Sequence, residues 1–359
     1  PRQYTAARRR TFVSVIIAIS LIATIACMGD LSPSGGWAAP VVTDDGIVVG
    51  DKNGDLVLVD PDTNSLTTLF PGDSLDLGKI YGTPLITATT TFFAAYDCAG
   101  NECEANISAI DLAVRQSVWD DTKQYTPPGQ DEGDRVNDTP QFNIETEIVG
   151  RTVLVGSTLI FGTSEVGGEE DPGGYLVALD AHPFSEAVSR LKWAFPVGDA
   201  VFSSPAVADG VAYVTSLDKN VYAIDLSDGI ASVEDRLLWS FALEGAIAAT
   251  PVVLDGKLYV GDLRNNFYAL DIATRAASRS GDEINSSTEW KYDASGWVWA
   301  EAVIEDGVAY VANLGGEVHA VDIATGRAAW SESVKFEGQI VAAPALYDGP
   351  PRPSNGVRD

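Results

Sequence analysis

Apolar residues along this chain fall in short alternating runs, each closed by polar or glycine-containing turns. The run "DGKLYVGDLRNNFYALD", residues 255 to 271, opens on an Asp-Gly pair and passes through an apolar, aromatic stretch. It breaks at polar residues and then alternates again into a final Asp. Period-two alternation bounded by such turns predicts two short strands and their connection. The string recurs as "DGVAYVTSLDKNVYAID" at 209 to 225 and "DGVAYVANLGGEVHAVD" at 306 to 322, with seven of 17 positions shared by all three.

Anchoring on the final Asp extends the series to Asp60, Asp111, Asp180, Asp225, Asp271 and Asp322, spaced 45 to 69 residues apart. A further apolar run precedes most copies, as in "FSSPAVA", "IAATPVVL" and "VWAEAVI". Most units then reach a Trp: Trp119, Trp193, Trp239, Trp290 or Trp330. Four strands per unit at this period predict an all-β protein, a β-propeller of four-stranded blades with Trp filling the space between blades. Six repeats are complete, and "IVAAPALYDG" starts a seventh. The parent is expected to carry seven or eight blades and to continue past Asp359, or else the last strand closes a smaller ring. The recurrent Asp opens turns such as "DIATG" and "DLSDG", a capping role rather than a ring of catalytic carboxylates. "DKNGD" at 51 to 55 resembles the start of a calcium loop, but it lacks that motif's later Gly and Glu and falls on an inter-strand turn.

Composition agrees with a turn-rich fold: 34 Gly and 18 Pro in 359 residues, with 45% hydrophobic content. The formal charge is −28, and since the first 26 residues hold four Arg and no acid, the remainder carries −32. A surface so acidic argues against nucleic acid or anionic lipid as the partner of the globular part. The same acidity is also what adaptation to salty water would produce.

The opening has the basic and apolar regions of a secretory signal, with 15 uncharged residues from Phe12 to Ala26. Residues 1–26 are therefore read as a signal segment, 27–36 as a polar tether and 37–359 as the propeller. "TIAC" is similar to a bacterial lipoprotein signal, which makes Cys27 the candidate for lipidation. An uncleaved membrane anchor and ordinary cleavage remain open. In "DCAGNEC", Cys98 and Cys103 flank a Gly-Asn turn and are expected to form a disulfide across a hairpin tip. His182 and His319 are read as structural, the latter taking the place of Tyr222 and Tyr268 in the repeat. Stretches 120–142, 164–174 and 276–287 break the period and are read as loops on the propeller faces, where binding concentrates or where they are simply decoration.

The phrase "SSPAVADGVAYVTSLDKNVYAIDLSDG…LLW" and its relatives at 249 to 290 and 300 to 330 resemble the PQQ-type β-propeller repeat. Together with the lipoprotein-like start, the chain is similar to BamB-type envelope lipoproteins. That resemblance implies a non-catalytic, membrane-tethered scaffold in the bacterial envelope, without a cofactor, whose loops and edges hold envelope or membrane proteins. A quinoprotein dehydrogenase, with PQQ and calcium as cofactors, is the alternative. For it the candidate residues are Trp297 and Trp299, expected two apart on one strand face, with Glu301 on the same side. A third reading is an extracellular ligand- or polymer-binding protein.

Overall fold

The computed structural model describes residues 39–70, 78–99, 102–111, 116–119, 142–144, 146–164, 173–182, 190–272 and 288–345. Cys27, the signal and tether segments, and nearly all of the stretches at 120–142, 164–174 and 276–287 lie outside them, as do residues 346–349 of the run "IVAAPALYDG", whose described part, 340–345, is not in a strand.

Among the described residues, six antiparallel sheets follow one another along the chain. The fourth is representative, with strands Ala206–Ala208, Val211–Thr215, Asn220–Asp225 and Leu237–Ala242 paired in sequence order. Blade 1 spans Val41–Thr43 to Ser65–Phe70, blade 3 Val153–Val155 to Leu191–Val197, and blade 5 Val252–Leu254 to Thr288–Asp293. Blade 2 is larger and centres on the long hairpin Thr90–Ala99 and Glu102–Asp111. In blade 6, outside Glu317–Asp322, two short strands, Arg327–Ala328 and Val334–Lys335, share the outer position.

Local chemistry fixes the hairpins. Asp209-Gly210, Asp255-Gly256 and Asp306-Gly307 all have positive φ at both residues, the conformation of a tight two-residue turn matched to strand twist. The anchoring Asp residues end the third strand and cap the next turn. Asp60 accepts from Asp62 N and Thr63 N, Asp225 from Ser227 N, and Asp322 from Thr325 N. Asp51 likewise accepts from the backbone of Asn53 and Asp55, so the "DKNGD" turn uses its carboxylate internally.

The repeated Ala of the third strand also has a steric role. Ala223 pairs with both Tyr213 and Trp239, and its small side chain lets the two rings meet with centroids 5.9 Å apart. Tyr259, Ala269 and Trp290 repeat this arrangement in blade 5. Five apolar clusters then join successive blades from 1 to 6, with Phe93, Phe161, Tyr259 and Phe267 almost fully buried among them. Trp119 and Trp239 are buried as expected, whereas Trp330, tilted against Tyr310 in blade 6, is 40% exposed.

The segments entering each blade stitch neighbours together through the backbone. Val201 N–H donates to Thr163 O in blade 3 while Ala200 O accepts from Leu217 in blade 4. Ala246-Ile247 links blades 4 and 5 in the same way, and Trp297-Val298 links blades 5 and 6. The side chain of Val298 fills the space left by Gly261, where even a methyl group would lie 2.1 Å from Val298 Cγ1.

Candidate functional site at the propeller axis

The first strands of blades 1 to 5 surround a cavity of about 570 Å³. Its walls combine aliphatic side chains, including Val41, Leu85, Ile86, Val153, Val207 and Val253, with polar ones such as Thr152. Thr83, Arg151, Thr250 and Glu301 line it, with Ser204 between Arg151 and Thr250, and each stands two residues before its blade's first strand or, in the case of Thr83, before the cavity-facing strand Leu85–Ile86. Hydrogen bonds run along this ring, from Arg151 N to Ser204 Oγ at 2.9 Å and from Ser204 N to Thr250 Oγ1 at 3.0 Å. The ring presents two formal charges, and these face each other: Arg151 Nη2 lies 3.7 Å from Glu301 Oε2. Burial raises the Glu301 carboxyl above its ordinary range, and Arg151 opposes that rise.

The spacing of Trp297, Trp299 and Glu301 led us to expect one strand face, and the structure corrects this. The segment is the loop between Thr288–Asp293 and Val303–Glu305, because its backbone bonds run sideways to blades 5 and 6 instead of along a strand ladder. Trp297 projects into solvent and is 54% exposed. Trp299 reaches toward blade 4, its ring centroid 6.1 Å from that of Phe202. Glu301 alone of the three lines the cavity. The aromatic floor expected beneath a planar quinone is therefore not formed by this pair. Calcium needs roughly six to eight oxygen ligands, and among the described residues no group of three or more His, Cys, Asp or Glu is placed to hold a metal.

A second feature escaped the sequence reading. Trp297 and Phe336, which is 57% exposed, flank the turn at 314–316: Leu314 N–H donates to Trp297 O, and Phe336 N–H to Gly316 O. Val334, 46% exposed, lies on the short strand leading to Phe336. The His319 ring is buried, with its Nδ1 3.0 Å from Tyr292 Oη. Burial holds its pKa below the ordinary value, against the pull of Glu317.

Residues 232–335 match the family model described as outer membrane protein assembly factor BamB. The crystal structure of BamB from Moraxella catarrhalis is similar over 82% of this chain and 71% of that one, at 14% identity and a TM-score of 0.54. The chain is a β-propeller. Other propellers share the fold at comparable distance. A europium-containing methanol dehydrogenase matches at 14% identity and a TM-score of 0.59, covering 86% of this chain and 70% of the enzyme. The WD40 propeller domain of Doa1 matches at 11% identity and 0.51, covering 86% and 89%. Comparison with curated protein sequences gave no match.

Proposed function

We propose that this PQQ-like propeller is a non-catalytic, BamB-like scaffold of the bacterial envelope, held at a membrane through lipidated Cys27. The observation that carries the reading is the exposed apolar set Trp297, Val334 and Phe336 around the turn at 314–316. Large exposed aromatics gathered at one loop cluster are the anchors of protein interfaces. Exposed Glu332 and Glu337 border Val334 and Phe336, and the chain as a whole is strongly acidic. The partner is then an envelope protein with an apolar anchor and a basic rim, drawn in by charge and held by burial. The family match covers Trp297 and Val334 and ends one residue short of Phe336.

The test uses the full chain in its own envelope, crosslinked at low and high salt. Trp297→Ala combined with Phe336→Ala should remove the crosslinked partners without unfolding the propeller, and raised salt should weaken capture. Cys27→Ser should release the protein from the membrane fraction. Unchanged partners in the double variant would overturn the docking surface, and a Cys27→Ser protein still in the membrane would overturn the lipid anchor.

A further inference from the structure

The axial cavity is distinct from the loop cluster assigned to partner docking, and its chemistry points to a small ligand. The guanidinium of Arg151 carries five donors, and its contact with Glu301, at 3.7 Å, is too long to be a hydrogen bond. Both groups are thus paired in charge while retaining hydrogen-bonding capacity. Their side chains are 49% and 34% exposed, so they are within reach of an entering molecule. Just beyond them aliphatic side chains such as Val153, Val207 and Val253 share the walls with Thr152 and Thr250, and about 570 Å³ is ample for one small molecule.

We propose that this cavity binds an apolar α-amino acid as its zwitterion, with the carboxylate on Arg151, the ammonium on Glu301 and the aliphatic side chain among Val153, Val207 and Val253. An α-amino acid carries its two charges on neighbouring atoms, so it can lie alongside the Arg151–Glu301 pair and answer both ends without separating them. Other ligand classes match the site less well. A phosphate or a simple carboxylate meets Arg151 but is repelled by Glu301. An amine meets Glu301 but is repelled by Arg151. The backbone bonds from Arg151 to Ser204 and from Ser204 to Thr250 hold the three blades' contributions in register, which preorganises the site.

Calorimetric titration of the whole protein with L-leucine tests this, alongside leucinamide, which lacks the carboxylate, and 4-methylpentanoate, which lacks the ammonium. Glycine, which lacks the side chain, completes the series. Leucine should bind saturably, and each of the other three should bind about tenfold more weakly or worse. Glu301→Gln should weaken leucine while leaving 4-methylpentanoate no worse, and Arg151→Gln should do the same with leucinamide in that place. No saturable heat with leucine overturns the proposal. So does 4-methylpentanoate or leucinamide binding as tightly as leucine, and so does leucine binding that neither substitution alters. The analogue series decides the matter without any variant, should either substitution fail to fold.

Discussion

The guanidinium of Arg236 lies 4.5 Å from the centre of the Trp193 ring, so a cation from blade 4 closes over an aromatic of blade 3. The same relation holds one blade earlier, with Arg190 4.5 Å over Trp119. Each Arg also gathers carbonyls of its own blade's turn. Arg236 Nη1 donates to Asp225 O and Ser227 O, and Arg190 Nη1 to Asp180 O and His182 O. Both residues are buried, and burial lowers the Arg236 pKa somewhat, with Asp225 and Asp228 opposing. One planar group thus ties two blades and one turn together, which a lysine ammonium cannot reproduce.

Arg236→Lys is therefore expected to lower stability by about 2 kcal/mol, combining lost stacking with a carbonyl left unpaired. Urea unfolding followed by Trp fluorescence measures it, and exposed Lys219→Ala serves as the control that should scarcely move. Equal midpoints for Arg236→Lys and the parent would remove the staple from the account of stability.

A second prediction concerns the contact between Gly261 and Val298. A methyl at 261 would sit 2.1 Å from Val298 Cγ1, so Gly261→Ala must push blades 5 and 6 apart or twist the loop. The expected loss is about 1–3 kcal/mol, typical of overpacking. Removing the opposing bulk should relieve it, so Gly261→Ala with Val298→Ala should cost less than the two single losses added. Strict additivity in that double-mutant cycle would show that the two side chains do not compete for the same space.

These two contacts mark where the sequence was readable and where it was not. Asp209-Gly210 and its counterparts could be read as hairpins because a two-residue turn is decided locally, by which residues tolerate positive φ. The final Asp of each unit was readable as a cap for the same reason. Trp297 and Trp299 alternate as strand residues do, but the backbone there is claimed by Asp262 and Leu314, residues distant in sequence. The Arg staples did leave a signal in the spacing "RLKW" and "RLLW", yet each Arg stacks on the Trp of the preceding blade and not on its own. The cavity ring had no signal of its own. Thr83, Arg151, Ser204, Thr250 and Glu301 share a repeat position but no chemistry, and only closure of the blades around an axis brings Arg151 to Glu301.

The third prediction rests on strand register. Cys98 and Cys103 are directly paired near the tip of the blade 2 hairpin, the backbone placement that a cross-strand disulfide needs. Protein recovered from an oxidising compartment should show neither thiol reacting with alkylating reagent until reduced. Reduction should then cost about 2 kcal/mol, as a short closed loop implies. Two freely alkylated thiols in unreduced protein would discard the bond.

The last prediction sets two glutamates against each other. Lys335, then Ser333, hold the Glu317 carboxyl below its unfolded value of 4.5, so its contribution is present above that value and is lost as pH falls through the lowered pKa. Glu301 has the opposite sign. Burial raises its pKa above 4.5, so its contribution is complete below that value and is lost as pH rises through the raised pKa. Unfolding midpoints measured from roughly pH 3 to 7 should separate the two. Glu317→Gln should flatten the acid limb, and Glu301→Gln should flatten the decline on the other side. If both substitutions altered the same limb, one carboxyl would be in a different environment from the one described. The suspicion would then fall on Glu301, whose rise through burial is opposed by Arg151 across the axis.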